Sequence, residues 1–201
     1  MPQAQYQEKH ALAAFIALGA NEPADTRLKY LNIRTGLQAL ETGQVVIRAI
    51  SRFYRTPCFP PGAGPDFVNA VAKAETSLSA GQFLDHLHSV ERALGRVRAE
   101  RWGRRTLDLD LLSHDDGIAP DEETFALWRD LPPERQRLCA PDRLILPHPR
   151  LQDRAFVLAP WADIAPDWRH PVSGHSVREM LVALAPEDRA GVIPLCPAES
   201  G

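Results

Sequence analysis

Residues 95–112 read Gly95-Arg-Val-Arg-Ala-Glu-Arg-Trp-Gly-Arg-Arg-Thr-Leu-Asp-Leu-Asp-Leu-Leu112. The second half of this stretch alternates strictly between apolar and acidic residues: Leu107, Asp108, Leu109, Asp110 and Leu111. A period of two puts the leucines on one face of a β-strand and both carboxylates on the other. The fold must therefore cover one face of this strand and leave polar groups on its opposite face.

The two aspartates predict a cation site. Two residues of strand rise separate their Cα atoms by about 6–7 Å, and carboxylates that close repel each other unless a cation lies between them or one binds a proton. Mg²⁺ prefers such oxygen ligands and usually keeps room for water and substrate phosphates. Six of the fourteen residues from Arg92 to Arg105 are arginines. This combination favours a polyphosphate substrate, and the alternative is a solvated strand face behind an exposed basic loop.

Composition indicates an ordinary globular protein. The chain has 201 residues, 44% of them hydrophobic and 24% charged, with a net charge of -3, enough for one domain with a sizeable core. Cys58, Cys139 and Cys196 are odd in number and lack metal-site spacing, which favours a cytoplasmic location. No apolar run reaches the roughly 18 residues of a membrane span, so we expect no membrane partner.

Sequence patterns predict two β-strands with a helix between them. Residues 11–18 form an apolar run, and 45–54 are rich in β-branched and aromatic residues. Residues 11–20 also resemble a short signal-peptide core, but Glu8 lies where such a signal needs basic residues. The first helix is predicted to begin at Asp25 or Thr26 and to end at Gly43.

A third strand at 68–75 shows an alternation between small apolar and polar residues. The second helix is predicted from Ser79, which forms a capping box with Gln82, and is expected to end at Gly95. Strand, helix, strand, strand, helix, strand is the βαββαβ order of a ferredoxin-like α+β domain. Its antiparallel sheet carries both helices on one face.

The boundaries divide the chain into a tail at 1–10, a single domain at 11–185 and a second tail at 186–201. Within the domain, 113–142 is a polar, acidic insertion. We expect it to be partly ordered around a short helix that buries Phe125, Leu127, Trp128 and Leu131. A capping box of Ser176 and Glu179 predicts a C-terminal helix.

Six motifs, in order between about Phe15 and Leu184, resemble hydroxymethyl-dihydropterin pyrophosphokinase of folate biosynthesis. The longest and most specific runs from Arg101 to Asp110. The six are Phe53-Tyr-Arg-Thr-Pro57, Asp66-Phe-Val-Asn69, Gly95-Arg-Val-Arg98, Arg101-Trp-Gly-Arg-Arg-Thr-Leu-Asp-Leu-Asp110, Leu146-Pro-His-Pro-Arg150 and Arg154-Ala-Phe-Val-Leu158.

This resemblance implies transfer of pyrophosphate from ATP to the hydroxymethyl group of a dihydropterin, with release of AMP. It implies that Asp108 and Asp110 hold two Mg²⁺ ions and act in catalysis with Arg96 and Arg105. The implied ATP-binding residues are Glu91, Arg98, Arg101, Trp102, Leu111, His148 and Arg154. The implied pterin-binding residues are Thr56, Pro57, Phe59, Phe67, Asn69 and Phe156. Residues 95–104 would be a mobile loop that closes over the phosphates, and 105–112 a rigid strand.

The chain departs from the family's pattern in three places. The segment between Arg98 and Arg101 is shorter, Phe67 stands where a tyrosine is familiar, and the 113–142 insertion is longer. Two other functions are compatible with the residues. A ferredoxin-like binding or regulatory module would keep the pocket without turnover. A two-metal nuclease could use the same aspartates, but the net negative charge and the single short basic stretch disfavour it. We expect ATP and hydroxymethyl-dihydropterin as substrates, no nucleic-acid partner and a monomer.

Overall fold

The computed structural model of the chain describes residues 11–58, 64–95, 105–132, 135 and 139–196. Among these residues, six strands form one antiparallel sheet: β1 (Leu12–Ala20), β2 (Val45–Ile50), β3 (Tyr54–Thr56), β4 (Phe67–Thr76), β5 (Asp108–His114) and β6 (Ile193–Pro194). The helices are α1 (Thr26–Leu40), α2 (Ala80–Ala93), α3 (Glu122–Arg129), α4 (Ala155–Ile164), α5 (Val177–Ala183) and α6 (Pro186–Ala190), and a 3₁₀ turn spans Leu151–Asp153.

The strand order β5-β1-β4-β3-β6, with β2 pairing with β4 beside β3, confirms the predicted ferredoxin-like α+β fold. The predicted strand at 11–18 corresponds to β1 (Leu12–Ala20), which pairs with both β4 and β5. The predicted strand at 45–54 is interrupted, because Ser51 leaves the ladder and its hydroxyl accepts a hydrogen bond from Val71 N (2.9 Å). Sequence alternation continues through this interruption and does not reveal it.

Helix ends follow the predicted caps with one exception. The Asp25 side chain accepts from Leu28 N (2.9 Å) at the start of α1, and the capping box of Ser79 and Gln82 is present at the start of α2. Gly95 ends α2 with a φ of 84°, a value that favours glycine. The predicted end of α1 at Gly43 is wrong, because the helix stops at Leu40 and an isolated β-bridge joins Thr42 to Val45.

The first core lies between the sheet and helices α1 and α2, and it is closed by a close approach in the middle of α1. A Cβ added to Gly36 would lie 2.5 Å from Leu107 Cδ2. Leu107 is fully buried immediately before β5. Glycine lowers helix stability by roughly 1 kcal/mol relative to alanine, but here it makes room for the leucine that seats the aspartate-bearing strand on the helix.

The opposite sheet face carries a second core formed with α4 and α5. Phe15 of β1 lies against Trp161 with ring centroids 5.0 Å apart, and Trp161 stacks on Trp168 at 4.5 Å. Val71 of β4 and Leu112 of β5 join the same cluster. These helices cover the Phe15 end of β1, so the polar residues near Gly19, at the other end, remain available on that face.

Part of the predicted C-terminal tail belongs to the fold, so that prediction is wrong for residues 186–196. α6 is followed by β6, which pairs with β3 through Tyr54↔Pro194 and Arg55↔Ile193. Leu195 N also donates to Phe53 O (2.8 Å). A segment with few apolar residues gives little periodic signal, and its order comes from the backbone of β3.

The acidic insertion contains the expected short helix, α3. Its first turn is capped by Asp121, whose carboxylate accepts from Thr124 N (2.7 Å). Phe125 is fully buried, and its ring lies 5.5 Å from that of His170. Leu127, which was expected to be buried, is 66% exposed. Phe125 is therefore the residue of α3 that is buried against the domain. In the described part of the chain, no helix combines the length and apolar character needed to cross a membrane.

We predict that Phe125→Ala lowers the free energy of unfolding by about 3–5 kcal/mol, because it empties a fully enclosed site. Leu127→Ala on the same helix removes an exposed side chain and should change the free energy by less than about 0.5 kcal/mol. Chemical denaturation followed by circular dichroism measures both values. Equal effects of the two substitutions would contradict the docking of α3 through Phe125.

Candidate active site

Three neighbouring strands bring the predicted acids and Asn69 together on one sheet face. In the register of the sheet, Gly19 of β1 pairs with Asn69 of β4 on one side and with Asp108 of β5 on the other. Ala17, two residues earlier, pairs with Asp110. Because strands lie about 4.8 Å apart, Asn69 and Asp108 are separated by roughly 10 Å at Cα. Leu109 and Leu111 of β5 point to the first core, as predicted.

Asp108 is paired with Arg105, the last arginine of the basic stretch. Arg105 Nη1 donates to Asp108 Oδ2 within a salt bridge. Asn21 makes two hydrogen bonds to the backbone of Arg105. Its side-chain Oδ1 accepts from Arg105 N (2.8 Å), and its backbone N donates to Arg105 O (3.0 Å). This double contact fixes where the chain enters β5, so the guanidinium and the carboxylate keep their relative positions.

Asp110 is the more open of the two acids. Its side chain is 43% exposed, against 14% for Asp108. Arg154, the residue before α4, places Nη1 3.7 Å from Asp110 Oδ2 and lies 5.6 Å from the centre of the Phe156 ring. Burial is the main cause that lowers the pKa of Arg154, and Asp110 opposes it. The guanidinium therefore links the acid face to an aromatic ring.

His148 joins this group from a distant part of the chain. Its backbone N donates to Leu112 O at the end of β5 (2.8 Å), and its Nδ1 accepts from Arg150 N (3.1 Å). Burial, followed by the positive charge of Arg154, lowers the pKa of His148 to about 3. The ring is therefore neutral at physiological pH, with Nδ1 as an acceptor and Nε2 carrying the proton.

Asn69 forms a buried pair with Thr56 of β3, at the predicted pterin end of the site. Asn69 Nδ2 donates to Thr56 Oγ1 (2.7 Å), and both residues are buried. A Cβ on Gly19 would lie 2.9 Å from Asn69 Oδ1 and 3.9 Å from a ring carbon of Phe67. Gly19 therefore gives the amide oxygen and the ring of Phe67 the space to lie over β1.

Other predicted pterin residues lie at nearby strand ends or on α4. Phe67 is partly exposed and pairs with Thr56 in the β3–β4 register. Pro57 follows β3 and is exposed. Phe156, in the first turn of α4, is 37% exposed. The structure thus gathers Thr56, Pro57, Phe67 and Asn69 around the β3–β4 end, and Arg154 connects Phe156 to Asp110.

Two predicted ATP-binding side chains point away from the acid face. Glu91 is 1% exposed, and its Oε1 accepts from Leu109 N (2.8 Å). The side chain of Leu111 lies in the first core. Five more predicted site residues fall outside the described part of the chain: Phe59, Arg96, Arg98, Arg101 and Trp102. The predicted mobility of 95–104 also concerns a segment that is not described after Gly95.

The donors on β5 fit Mg²⁺. Among the described residues there is no group of three or more His, Cys, Asp or Glu side chains that could enclose a metal. Two carboxylates on one strand face, with arginines beside them, instead suit a cation whose other ligands are water and substrate phosphates. In the structure the guanidinium groups of Arg105 and Arg154 lie beside the two acids and offset part of their negative charge.

A groove of about 390 Å³ lies on the α1 side of the sheet, between α1 and β2. It is lined by Tyr30, Arg34, Leu37, Gln38, Glu41, Ile47, Ile50 and Phe53. This lining holds one carboxylate, that of Glu41, and therefore lacks the pair of acids seen on the other face. The chemical groups therefore identify the Asn69–Asp110 face as the candidate active site.

Sequence reasoning missed three supporting residues: Gly19, Asn21 and Lys29. The composition of Gly19-Ala-Asn21 predicts a turn, whereas Gly19 and Ala20 are the last two residues of β1. No sequence signal singled out Lys29, which is 3% exposed and whose Nζ donates to Asp66 O (2.6 Å). No periodic signal marks a lysine whose partner is a backbone carbonyl far along the chain.

Comparison with known proteins gives one consistent result. The sequence profile of the family 7,8-dihydro-6-hydroxymethylpterin-pyrophosphokinase (HPPK) matches residues 15–166. A Pseudomonas aeruginosa protein named 2-amino-4-hydroxy-6-hydroxymethyldihydropteridine pyrophosphokinase is 38% identical over 172 residues, covering 84% of this chain and 90% of its own. Proteins of the same name from Haemophilus influenzae and Synechocystis are 36% and 35% identical, over 78% and 76% of this chain.

The chain spans 83% of the Haemophilus protein and 66% of the Synechocystis protein. Among solved structures, a Plasmodium falciparum HPPK-DHPS variant matches with a TM-score of 0.64 at 16% identity, over 88% of this chain and 46% of that one. Wild-type Plasmodium falciparum HPPK-DHPS gives a TM-score of 0.56 at 14% identity, over 86% and 44%. These structural matches support the fold.

We predict that Arg154→Met raises the pKa of His148, because it removes the positive charge that most strongly opposes protonation of the ring. The pKa should stay below the ordinary value of 6.5, since burial remains the larger cause. Two-dimensional NMR of the ring nitrogens during a pH titration measures the change. The control is Arg178→Met, at an arginine whose side chain is 65% exposed, and an equal response to both substitutions would refute the electrostatic effect of Arg154 on His148.

Proposed function

The chain belongs to the 7,8-dihydro-6-hydroxymethylpterin-pyrophosphokinase family, and we propose on that premise that it transfers pyrophosphate from ATP to 6-hydroxymethyl-7,8-dihydropterin in folate biosynthesis. The observation that carries the proposal is the single sheet face on which Asp108 and Asp110 lie on β5 and Asn69 lies on β4, two strands away. One end of this face suits a polyphosphate and the other suits a flat, polar ring.

The proposed reaction is a displacement at phosphorus. The hydroxymethyl oxygen of the dihydropterin bonds to the β-phosphorus of ATP, and the bond from that phosphorus to the oxygen bridging to the α-phosphorus breaks. AMP leaves with that bridging oxygen, and the alcohol proton passes to solvent or to a phosphate oxygen. Phosphoryl-type transfer depends mainly on in-line positioning and charge stabilisation, so the site requires no strong base.

We assign Asp108 and Asp110 to two Mg²⁺ ions that accompany ATP. Bound there, Mg²⁺ would neutralise phosphate charge and lower the pKa of the attacking alcohol. The two carboxylates face the same side of β5, and the 43% exposure of Asp110 leaves its oxygens accessible. The family's use of ATP supports Mg²⁺ in general. The count of two ions rests on the family resemblance of the Asp108–Asp110 motif.

Arg105 and Arg154 flank the acids and would bind phosphate oxygens. A planar guanidinium binds such oxygens in a bidentate manner, which lysine cannot do. His148, held neutral by burial, would donate from Nε2 without adding charge. The proposal extends by resemblance to Arg96 as a catalytic residue and to Arg98, Arg101, Trp102, Glu91 and Leu111 around ATP. For Leu111, whose side chain is in the core, the contact would be through its backbone.

The pterin would bind at the β3–β4 end of the face. The amide oxygen of Asn69 is oriented by the hydrogen bond from its Nδ2 to Thr56, which makes it a fixed acceptor for the amino and ring N–H groups of a pterin. Phe67 and Phe156 are at least partly exposed and offer ring surfaces for stacking. Pro57 would form one wall, and Phe59 joins the set by resemblance.

We further propose that the enzyme acts in the cytoplasm as a monomer. Both substrates are small molecules, and Cys58, Cys139 and Cys196 form no disulfide with one another, as expected in a reducing compartment. Light scattering coupled to gel filtration distinguishes a 22.3 kDa monomer from a dimer.

We predict that AMP forms only when MgATP and hydroxymethyl-dihydropterin are both present, and that Asp110→Ala lowers its rate of formation by at least about 10²-fold. The loss follows from removing a carboxylate that binds the metal–phosphate complex. Within the described part of the chain, the side chain of Asp110 makes one long ion pair, to Arg154 (3.7 Å), so the fold should be retained. Chromatographic detection of AMP measures the rate, and circular dichroism verifies folding.

Asp116→Ala is the matched control, because this acid is exposed just beyond β5 and should leave the rate unchanged. Undiminished AMP release by Asp110→Ala would contradict the metal assignment. Calorimetric binding of the pterin without any AMP from the unsubstituted chain would instead favour a binding module over an enzyme.

A further inference from the structure

The two ends of the connection between β3 and β4 carry most of the proposed pterin contacts. β3 ends at Thr56 and continues into Pro57, and β4 begins at Phe67, two residues before Asn69. The position of these ends determines the width of the pterin slot. Each end is held by a residue that the reaction itself does not use.

Gly191 lies against Pro57, the residue that follows the end of β3. A Cβ added to Gly191 would lie 3.0 Å from both Cγ and Cδ of Pro57. Its φ is -84°, which any residue adopts, so the backbone conformation does not require glycine here. The requirement is the close approach, and the proline ring is too rigid to turn aside. β6 follows within two residues and pairs with Tyr54 and Arg55, so Gly191 is fixed beside Pro57.

Lys29 is hydrogen-bonded to Asp66, the residue that precedes the start of β4. It lies on the buried side of α1, 3% exposed, and its Nζ donates to Asp66 O (2.6 Å). Asp66 immediately precedes Phe67. Burying an ammonium group is costly unless it is hydrogen-bonded, and the burial lowers the pKa of Lys29. The carbonyl of Asp66 is thus bonded across 37 residues of sequence to a rigid helix.

We propose that Gly191 and Lys29 are positioning residues that hold Pro57 and Phe67 in place and so set the affinity for the pterin. The inference rests on the proposed function. Gly191 lies beyond residues 15–166, which the family profile matches, so the C-terminal segment adds a contact to the substrate slot from outside that region. Neither residue touches the acids, and phosphate binding is independent of both.

Gly191→Ala should raise the KM for hydroxymethyl-dihydropterin by about 3–10-fold, because Pro57 must move by a few tenths of an ångström. kcat and the KM for ATP should stay within about twofold. Gly81→Ala is the control, since its added methyl meets no atom within 4 Å. Lys29→Met, which removes the donor while filling the space, should also raise the pterin KM, whereas the exposed Arg27→Met on the same helix should not.

A double substitution isolates the contact at Gly191. Pro57→Ala removes both ring carbons that the new methyl would meet, so Gly191→Ala should have no further effect on the pterin KM in that background. An unchanged pterin KM in an active Gly191→Ala enzyme, or equal rises in the KM values for ATP and pterin, overturns the inference for Gly191. The same outcomes in Lys29→Met overturn it for Lys29. Absence of AMP from the unsubstituted chain overturns the proposed function itself.

Discussion

The pairing of Gly19 with Asn69 and Asp108 is the constraint on which the site depends. A β-strand register fixes the residues opposite each other, and a slip by one residue turns every side chain to the other face. The β1 residue between Asn69 and Asp108 is Gly19, which has no side chain. A Cβ at this position would lie 2.9 Å from Asn69 Oδ1, so only glycine leaves room for the amide oxygen. The amide and the acid are therefore held at a separation set by two strand spacings, about 10 Å. The geometry of the candidate site is therefore set by the sheet.

Each of the two acids on this face has an arginine partner, one close in sequence and one distant. Asp108 is matched by a neighbour in sequence, Arg105, whereas Asp110 is matched by Arg154, which arrives from the start of α4. His148 lies in the same field, and burial keeps its ring neutral. Arg150 also lowers the pKa of His148, and its own charge is matched by Asp153, whose Oδ2 lies 3.0 Å from Arg150 Nε. The guanidinium groups on this face offer a local binding place for a polyanion in a chain whose net charge is -3.

Much of the fold was predictable because it rests on local signals. The alternation of leucine and aspartate identified β5 and its faces, and the capping box at Ser79 located α2. The interruption of the strand at Ser51 and the pairing of β6 were not predictable, since both depend on backbone partners distant in sequence. Within the site, residue types indicated the acids and Asn69. The buried position of Lys29 and the distribution of arginines between Asp108 and Asp110 are tertiary properties, and no single-sequence pattern contains them.

The buried carboxylate of Glu91 has a consequence for assembly. β5 is the last strand at its side of the described sheet, and edge strands offer free N–H groups to which another chain can add. Glu91 occupies one of these donors, the N–H of Leu109. A foreign strand would have to displace a buried acid before it could extend the sheet there. By occupying the N–H of Leu109, Glu91 thus hinders intermolecular β-pairing of the aspartate-bearing strand and lowers its tendency to aggregate.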